Sequence, residues 1–478
     1  MDSRDFSARP RPGHPAVILL FTFLQGQASS LALQSLQTLS SDIQYNQCIQ
    51  NTPIIVPEVD VCATDTSPTE HILLRILVLL SFSLISGPFG RLMDGRGRKI
   101  AMIVSGLLSA FAALWICICA FVPYLTHTEA PILLVPAMLL GSSEAVALWQ
   151  TIGWSYIAIT ATPKRRSTYF NLHITADWAV WISRLVPLFP IIYILAAAFF
   201  LRDAPPDVND TTLPVSWSFG TTLRSIIDPI YLLFKDPTTV RLTMLYTVTS
   251  YTLKAIRTTA LLKFHTAIKP PKKHPILLLL LVAASIFVRG ALVLCTIPTI
   301  VALYTHFSPS IFSNTLTVTS AAKEPLPGES EKQLSVTETT KQTDPFDYAV
   351  PIWELELFMT RWSLAAGAVG VLVMLAEDSL LCLSIGVAMS GFIMSSVASP
   401  AALLTLQTPP SEMSRVLTGL ALIDAFAPLM SSAPGSDVPL DGENDYTLPV
   451  KPTLVVVTIL LLCASVGTRY VRRKVKLH

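Results

Sequence analysis

Long apolar runs alternate with short, polar and charged interruptions along most of the chain. The clearest pair flanks residues 90–99. Residues 71–89 hold no ionisable side chain except His71 and Arg75, and residues 100–122 hold no charge at all. Each run is long enough to cross a ~30 Å hydrocarbon layer as a helix. Read the same way, the chain predicts helix 1 at 15–36, helix 2 at 71–92, helix 3 at 100–123 and helix 4 at 131–160. Helix 7 is expected at 241–263, although Lys254 and Arg257 lie inside it, and helix 8 at 275–305. Helices 9 to 12 follow at 357–376, 379–407, 414–430 and 451–469. Helices 5 and 6 must share the 34 positions of 168–201, which contain no Gly. Two spans ordinarily take ~40 residues and a turn, so this pair reads as shortened, and so does helix 11.

The polar stretches divide the chain. Residues 1–14 form an N-terminal segment, 15–201 an N-terminal bundle, 202–240 a polar, basic linker and 241–470 a C-terminal bundle, with 471–478 as a basic tail. Inside the second bundle, 306–352 is rich in Ser, Thr, Glu and Pro and reads as a disordered loop. Lys and Arg concentrate in alternate connections. Gly90 to Lys99 holds three Arg and one Lys, Lys164, Arg165 and Arg166 follow helix 4, and five basic residues lie between Arg469 and Lys476. Segments 37–70, 124–130 and 431–449 have no Lys or Arg. Positive charge marks the cytoplasmic face, so both termini are expected inside. Lys269, Lys272 and Lys273 break the rule, since they fall on the expected outer side.

Composition agrees. The 478 residues are 51% hydrophobic and 14% charged, with a mean hydropathy of +0.55. Soluble domains carry about 25% charged residues, so an all-α integral membrane protein is expected. Five of the seven cysteines sit in apolar spans, while Cys48 and Cys62 share the segment 37–70. A disulfide between those two is one reading and a pair of free thiols the other; external compartments favour the first. No Cys/His cluster has metal-ligand spacing and no nucleophile-base set appears, so neither a metal, a cofactor nor an enzyme activity is expected.

Gly90, Leu92, Asp94, Gly97, Arg98 and Lys99 resemble the G-x-L-a-D-r-x-G-r-k loop of the major facilitator superfamily, with Gly95 where that pattern has Arg. The loop joins helices 2 and 3 in that family, where it stands here. Ser155 to Ala158 followed by Thr162 to Ser167 is similar to the family's helix 4 to helix 5 connection, and Thr408 to Arg415 to its helix 10 to helix 11 connection. The layout most resembles fungal members. The resemblance implies two six-helix bundles, helices 5, 6 and 11 being shortened here, that rock about a central cavity lined by helices 1, 4, 7 and 10. It also implies that the loop residues Gly90, Asp94, Gly97, Arg98 and Lys99 brace the bundles at the inner face. Ala137 and Ile159 stand where relatives often carry an Arg and an acid, and Ser183 to Pro187 where antiporters carry a Gly-Pro motif.

Charges deep in a membrane cost at least ~2.5 kcal/mol each, which draws attention to those the spans contain. Glu144 lies centrally on helix 4, followed by Trp149 and Gln150. A carboxyl there can hold a proton and release it as solvent access alternates; a structural Glu satisfied by a neighbour is the other reading. Helix 1 supplies Gln25, Gln27 and Gln34, of which the last two share a face. They can serve a solute or hold helices together. Lys254 and Arg257 on helix 7 share a face that suits an anion, or mark an interfacial segment. Arg289, Asp177, Arg184 and Asp424 are further charges within spans, with ion pairing among them the simpler reading.

The expected function is transport of a small organic solute by alternating access, coupled to protons. The expected partners are the solute, protons and the bilayer, with no nucleic acid, and the expected state is a monomer. The plasma membrane is the expected location, a vacuolar or other internal membrane the alternative. On the same scaffold, a non-transporting receptor or sensor, or a transport-inactive paralogue, is the rival reading. The charge asymmetry is directly testable. A reporter fused after His478 should remain cytosolic and a tag inserted near Asp441 should be labelled from outside; both on one side would overturn the topology.

Overall fold

The computed structural model describes residues 68–121, 133–143, 145–161, 163–179, 219–267, 349–376, 380–409, 411–431 and 450–472, together with Ser35, Leu36, Leu39 and Ile43. These residues are helical, with no strand among them. The helices are α1 (Pro68–Arg96), α2 (Arg98–Phe121), α3 (Leu134–Ser143), α4 (Ala145–Thr160), α5 (Pro163–Ala179) and α6 (Phe219–Phe234). They continue with α7 (Pro237–Ala267), α8 (Ala349–Ala376), α9 (Leu380–Ser390), α10 (Ile393–Gln407), α11 (Met413–Ser431) and α12 (Val450–Arg472).

Local chemistry sets several boundaries. Gly97 separates α1 from α2 by a single residue and adopts φ 101°, a left-handed conformation that side chains disfavour. The charged stretch 90–99 is therefore mostly helix, where the sequence reading ended helix 2 at 92 and began helix 3 at 100. Asp236 caps α7, accepting the backbone N–H of Thr238 at 3.0 Å and of Thr239 at 3.4 Å, while Pro237 takes the first helical position. Helix 7 thus extends four residues beyond each expected end. The expected helix 10 is interrupted at Gly391 and Phe392, where tight bonds such as Met394 N–H to Gly391 O at 3.2 Å replace the regular ladder. Within the helices, hydroxyls turn back onto carbonyls one turn earlier, as Thr160 does to Tyr156 and Thr247 to Thr243. Such bonds satisfy polar side chains where no water is at hand.

The outer surface is apolar. Leu107, Phe111, Leu114 and Ile118 form an exposed stripe along α2, and Val455, Val456, Ile459 and Leu462 another on α12. A soluble protein buries faces of that size, whereas lipid solvates them. Among the described residues, four helices are long and apolar enough to cross a membrane: Ile76–Gly95, Arg98–Cys119, Trp353–Ala376 and Leu381–Gln407. The chain is an all-α membrane protein.

The helices pack as two groups that meet along a seam. α1 lies against α2 and α3, and α4 against α5; in the second group α8 packs on α9, α10 and α12, and α7 on α9 to α12. Across the seam, α11 touches both α1 and α4, and α10 touches α5. A continuous apolar core runs through it, including Phe82, Met93, Trp154, Phe170, Tyr246, Leu404 and Leu420. Helix α6 falls within the stretch 202–240 read as a linker. It docks on α1 and α11 with Ser225, Pro229, Leu232 and Leu233 inward, at helical spacing. Gly87 makes that docking possible: a Cβ there would lie 1.8 Å from the backbone oxygen of Ser225. Gly87→Ala should therefore push α6 off α1 and destabilise the protein by about 1–3 kcal/mol. Thermal unfolding checks this, together with faster proteolysis of 202–240; no change in either would refute the docking.

Candidate functional site

The charged stretch 90–99 meets the start of α11. Asp94, on the last turn of α1, accepts the backbone N–H of Ser414 at 3.1 Å and pairs with Arg415 Nε at 3.4 Å. A helix begins with unsatisfied N–H groups and a partial positive charge, and α11 has no acid of its own in its first turn. Asp94 supplies that charge from the other end of the chain. Arg98, buried at the start of α2, donates from Nε to Ser155 Oγ at 2.5 Å and from a terminal nitrogen to Ser414 Oγ at 3.3 Å. The two serine hydroxyls lie 2.7 Å apart, so α2, α4 and α11 share one hydrogen-bonded knot.

A second strand of charge joins α6 to the same place. Asp228 pairs with Arg91 of α1 and lies 3.8 Å from Arg415 of α11. Asp94, Arg415, Asp228 and Arg91 thus alternate in sign across three helices. With Asp94 almost completely buried, each bond here is charge-assisted and poorly screened. This end of the seam is closed.

Further along the seam lies a polar and aromatic cluster. Gln150 of α4 donates to the Tyr246 hydroxyl of α7 at 3.4 Å, and Thr151 donates to Leu417 O of α11 at 3.4 Å. Trp154 stacks on Phe170 with ring centroids 4.8 Å apart and meets Tyr246 and His173 edge-on. His173 is fully enclosed, and neither of its ring nitrogens nor Trp154 Nε1 has a hydrogen-bond partner among the described residues. Gln150 lies ten residues before the end of α4, and Tyr246 nine residues into α7. Gln150 lies five residues before Ser155 of the knot, so at the helical rise of 1.5 Å the two are ~7.5 Å apart along α4. Separating the groups of helices would open these unsatisfied donors and acceptors to whatever enters. Behind the cluster, Lys254 pairs with Asp424 Oδ1 at 3.2 Å and donates to the Asp424 carbonyl, while Ser250 donates to the same carboxylate. A buried pair of that kind is far cheaper than either charge alone.

Several residues expected to act together are brought together. Asp94 and Arg98, on either side of Gly97, both meet α11. Gly90 lies where α1 packs tightly on α11, and a Cβ there would be 3.2 Å from Arg415 Cα. Lys99 is half-buried at the start of α2. Gln150 reaches the seam. Trp149 lies on α4 and Arg257 on α7, their side chains being outside the described set. Gln25, Gln27, Gln34, Cys48, Cys62, Glu144 and Arg289 lie outside the described residues, as do helices 1, 6 and 8 as spans. Sequence reasoning missed Ser155, Ser414 and Arg415 as contacts, although all three lie in the connections that carried the resemblance. It had no signal for Asp228, which sits in an apparent linker, or for His173 and Trp154.

No protein-family model matches the sequence, and no curated protein matches it either. Solved structures do. The human organic anion transporter MFSD10 (TETRAN) aligns with a TM-score of 0.57 at 12% identity, over 95% of this chain and 99% of that one. A bacterial homologue of the iron transporter ferroportin, in an outward-facing state, aligns with a TM-score of 0.52 at 13% identity, over 96% of this chain and 99% of the other. The chain has the major facilitator fold. At these identities the likeness establishes the fold, and the chemistry rests on the residues themselves.

The knot around Asp94 makes a quantitative prediction. Hydrogen bonds to charged groups contribute about 1.5–3 kcal/mol, so removing one should shift a closed-to-open balance at this end by roughly tenfold or more. Asp94→Asn and Arg98→Ala should each raise the rate at which a cysteine introduced at Leu417, buried on α11 beside the knot, reacts with a membrane-permeant thiol reagent, with normal amounts of protein in the membrane. An unchanged labelling rate in both would show that the knot does not hold the seam shut.

Proposed function

We propose that the chain is a secondary active transporter that moves a small organic solute through the bilayer by alternating access. The observation that carries this reading is the seam. One end is closed by charges drawn from both halves of the chain, while beside it stand polar groups without hydrogen-bond partners among the described residues. A rocking motion needs a closure that can break and a site between the moving parts, and irregular helices at mid-depth serve such sites in membrane transporters. The break at Gly391 and Phe392 falls in an expected cavity helix. The similar structures are titled as an organic anion transporter and a homologue of an iron transporter, which supports transport as the activity. The amide of Gln150, the phenol of Tyr246 and the indole of Trp154 suit a neutral or anionic organic solute by hydrogen bonding and stacking. In this reading the Asp94 knot forms and breaks in each cycle, the termini are cytoplasmic, the chain works as a monomer, and no enzymatic step is involved.

We infer further that protons drive the cycle and that Glu144 carries them. It is the acid on helix 4, a cavity helix in the major facilitator arrangement, and Asp424 is already engaged by Lys254. Glu144→Gln imitates the permanently protonated form. In reconstituted vesicles it should abolish accumulation driven by a pH gradient while preserving exchange of labelled for unlabelled solute. Normal pH-driven accumulation would make Glu144 structural, and absence of any solute flux in the unaltered protein would favour a receptor on the same scaffold.

A further inference from the structure

Helix α6 has two faces of different character. Its inward face carries Asp228 to Arg91 and Arg415. Its outward face is apolar, with Ile227, Ile230, Tyr231 and Phe234 exposed at i, i+3, i+4 and i+7. A helix of this design lies at a membrane surface with the apolar face among acyl chains. Between α6 and the ends of α1 and α11 there is an open cleft of about 360 Å³. Four cations line it: Arg91, Arg224, Lys235 and Arg415. Asp228 and Glu412 are the two carboxylates in its lining.

The charge balance in the cleft is uneven. Arg91 and Arg415 are drawn to Asp228. Arg224 and Lys235 reach carboxylates only at 3.9 Å, and their side chains are 83% and 56% exposed. Ion pairs that long and that wet contribute little, so both cations can turn to another anion. The net charge of the lining is therefore positive where the mouth adjoins the lipid-facing stripe. Tyr231 belongs to both surfaces, lining the cleft and facing outward. A soluble anion would use the charge but not the stripe; an anionic phospholipid uses both.

We propose that this cleft binds the phosphate-bearing headgroup of an anionic phospholipid, held by Arg224 and Lys235, with the acyl chains lying over Ile227, Ile230, Tyr231 and Phe234. Basic pockets between membrane helices are suited to such headgroups. Occupancy would fasten α6 in the position where Asp228 bridges the two groups of helices, linking lipid composition to the seam.

The test uses full-length protein in phosphatidylcholine nanodiscs, with a fluorescent phosphatidylinositol phosphate as probe. The unaltered protein should bind the probe saturably. The double variant Arg224→Ala with Lys235→Ala should bind it more weakly, by about fivefold for each cation removed. Arg224→Lys with Lys235→Arg should retain binding. Unfolding temperatures in phosphatidylcholine alone establish that the variants are folded. Equal binding by the alanine variant overturns the proposal. Inorganic phosphate in excess should leave the probe bound; its full displacement by phosphate would assign the cleft to a soluble anion and overturn the lipid assignment. A photoactivatable form of the same lipid gives a test without substitutions. Crosslinks should fall within Phe219–Lys235, and crosslinks confined to other segments would refute the site.

Discussion

A single carboxylate at the end of one helix facing the bare amides of another is the contact on which the rest of the arrangement turns. Asp94 meets Ser414 and Arg415 across 320 residues of chain. In water such a contact would be weak. Here Asp94 is buried, α11 has no acid in its own first turn, and Arg98 ties Ser414 to Ser155 from the other side. The interaction gains from the low dielectric and exposes charges to hydrocarbon-like surroundings if it breaks without water entering.

Lipid as solvent explains the rest of the design. The helices display apolar stripes outward and keep hydroxyls bonded to their own carbonyls, so the energetic questions concentrate where polar groups meet inside. There the chain offers three solutions. Lys254 and Asp424 neutralise each other within one group of helices. Asp94, Arg415, Asp228 and Arg91 do so between groups. Gln150, Trp154 and His173 form the third set, with His173 and Trp154 Nε1 unsatisfied among the described residues.

Helix α6 changes the meaning of the segment between the two halves. A polar connection would leave the groups of helices coupled only by their seam. A lipid-facing helix whose Asp228 touches cations of both α1 and α11 couples them from the side. Opening the seam must then also move α6 or break its bridge.

The sequence by itself determined the solvent, the helical class and the place of the connection between α1 and α2. Apolar length reports burial in hydrocarbon whatever the tertiary arrangement, and only glycine suits the backbone of Gly97, so those features were legible locally. The likeness of 90–99 to a known loop also pointed to Asp94 and Arg98. What they touch was decided by the tertiary structure, because a salt bridge depends on which helix ends converge and no periodicity records that. The same holds for Lys254 and Asp424, which read as two separate charges until α7 and α11 were set side by side. Helix α6 escaped notice because its 16 residues mix apolar positions with Arg224, Asp228 and Pro229. Such a pattern looks like a linker until α1 and α11 supply the surface on which its inward face can be buried.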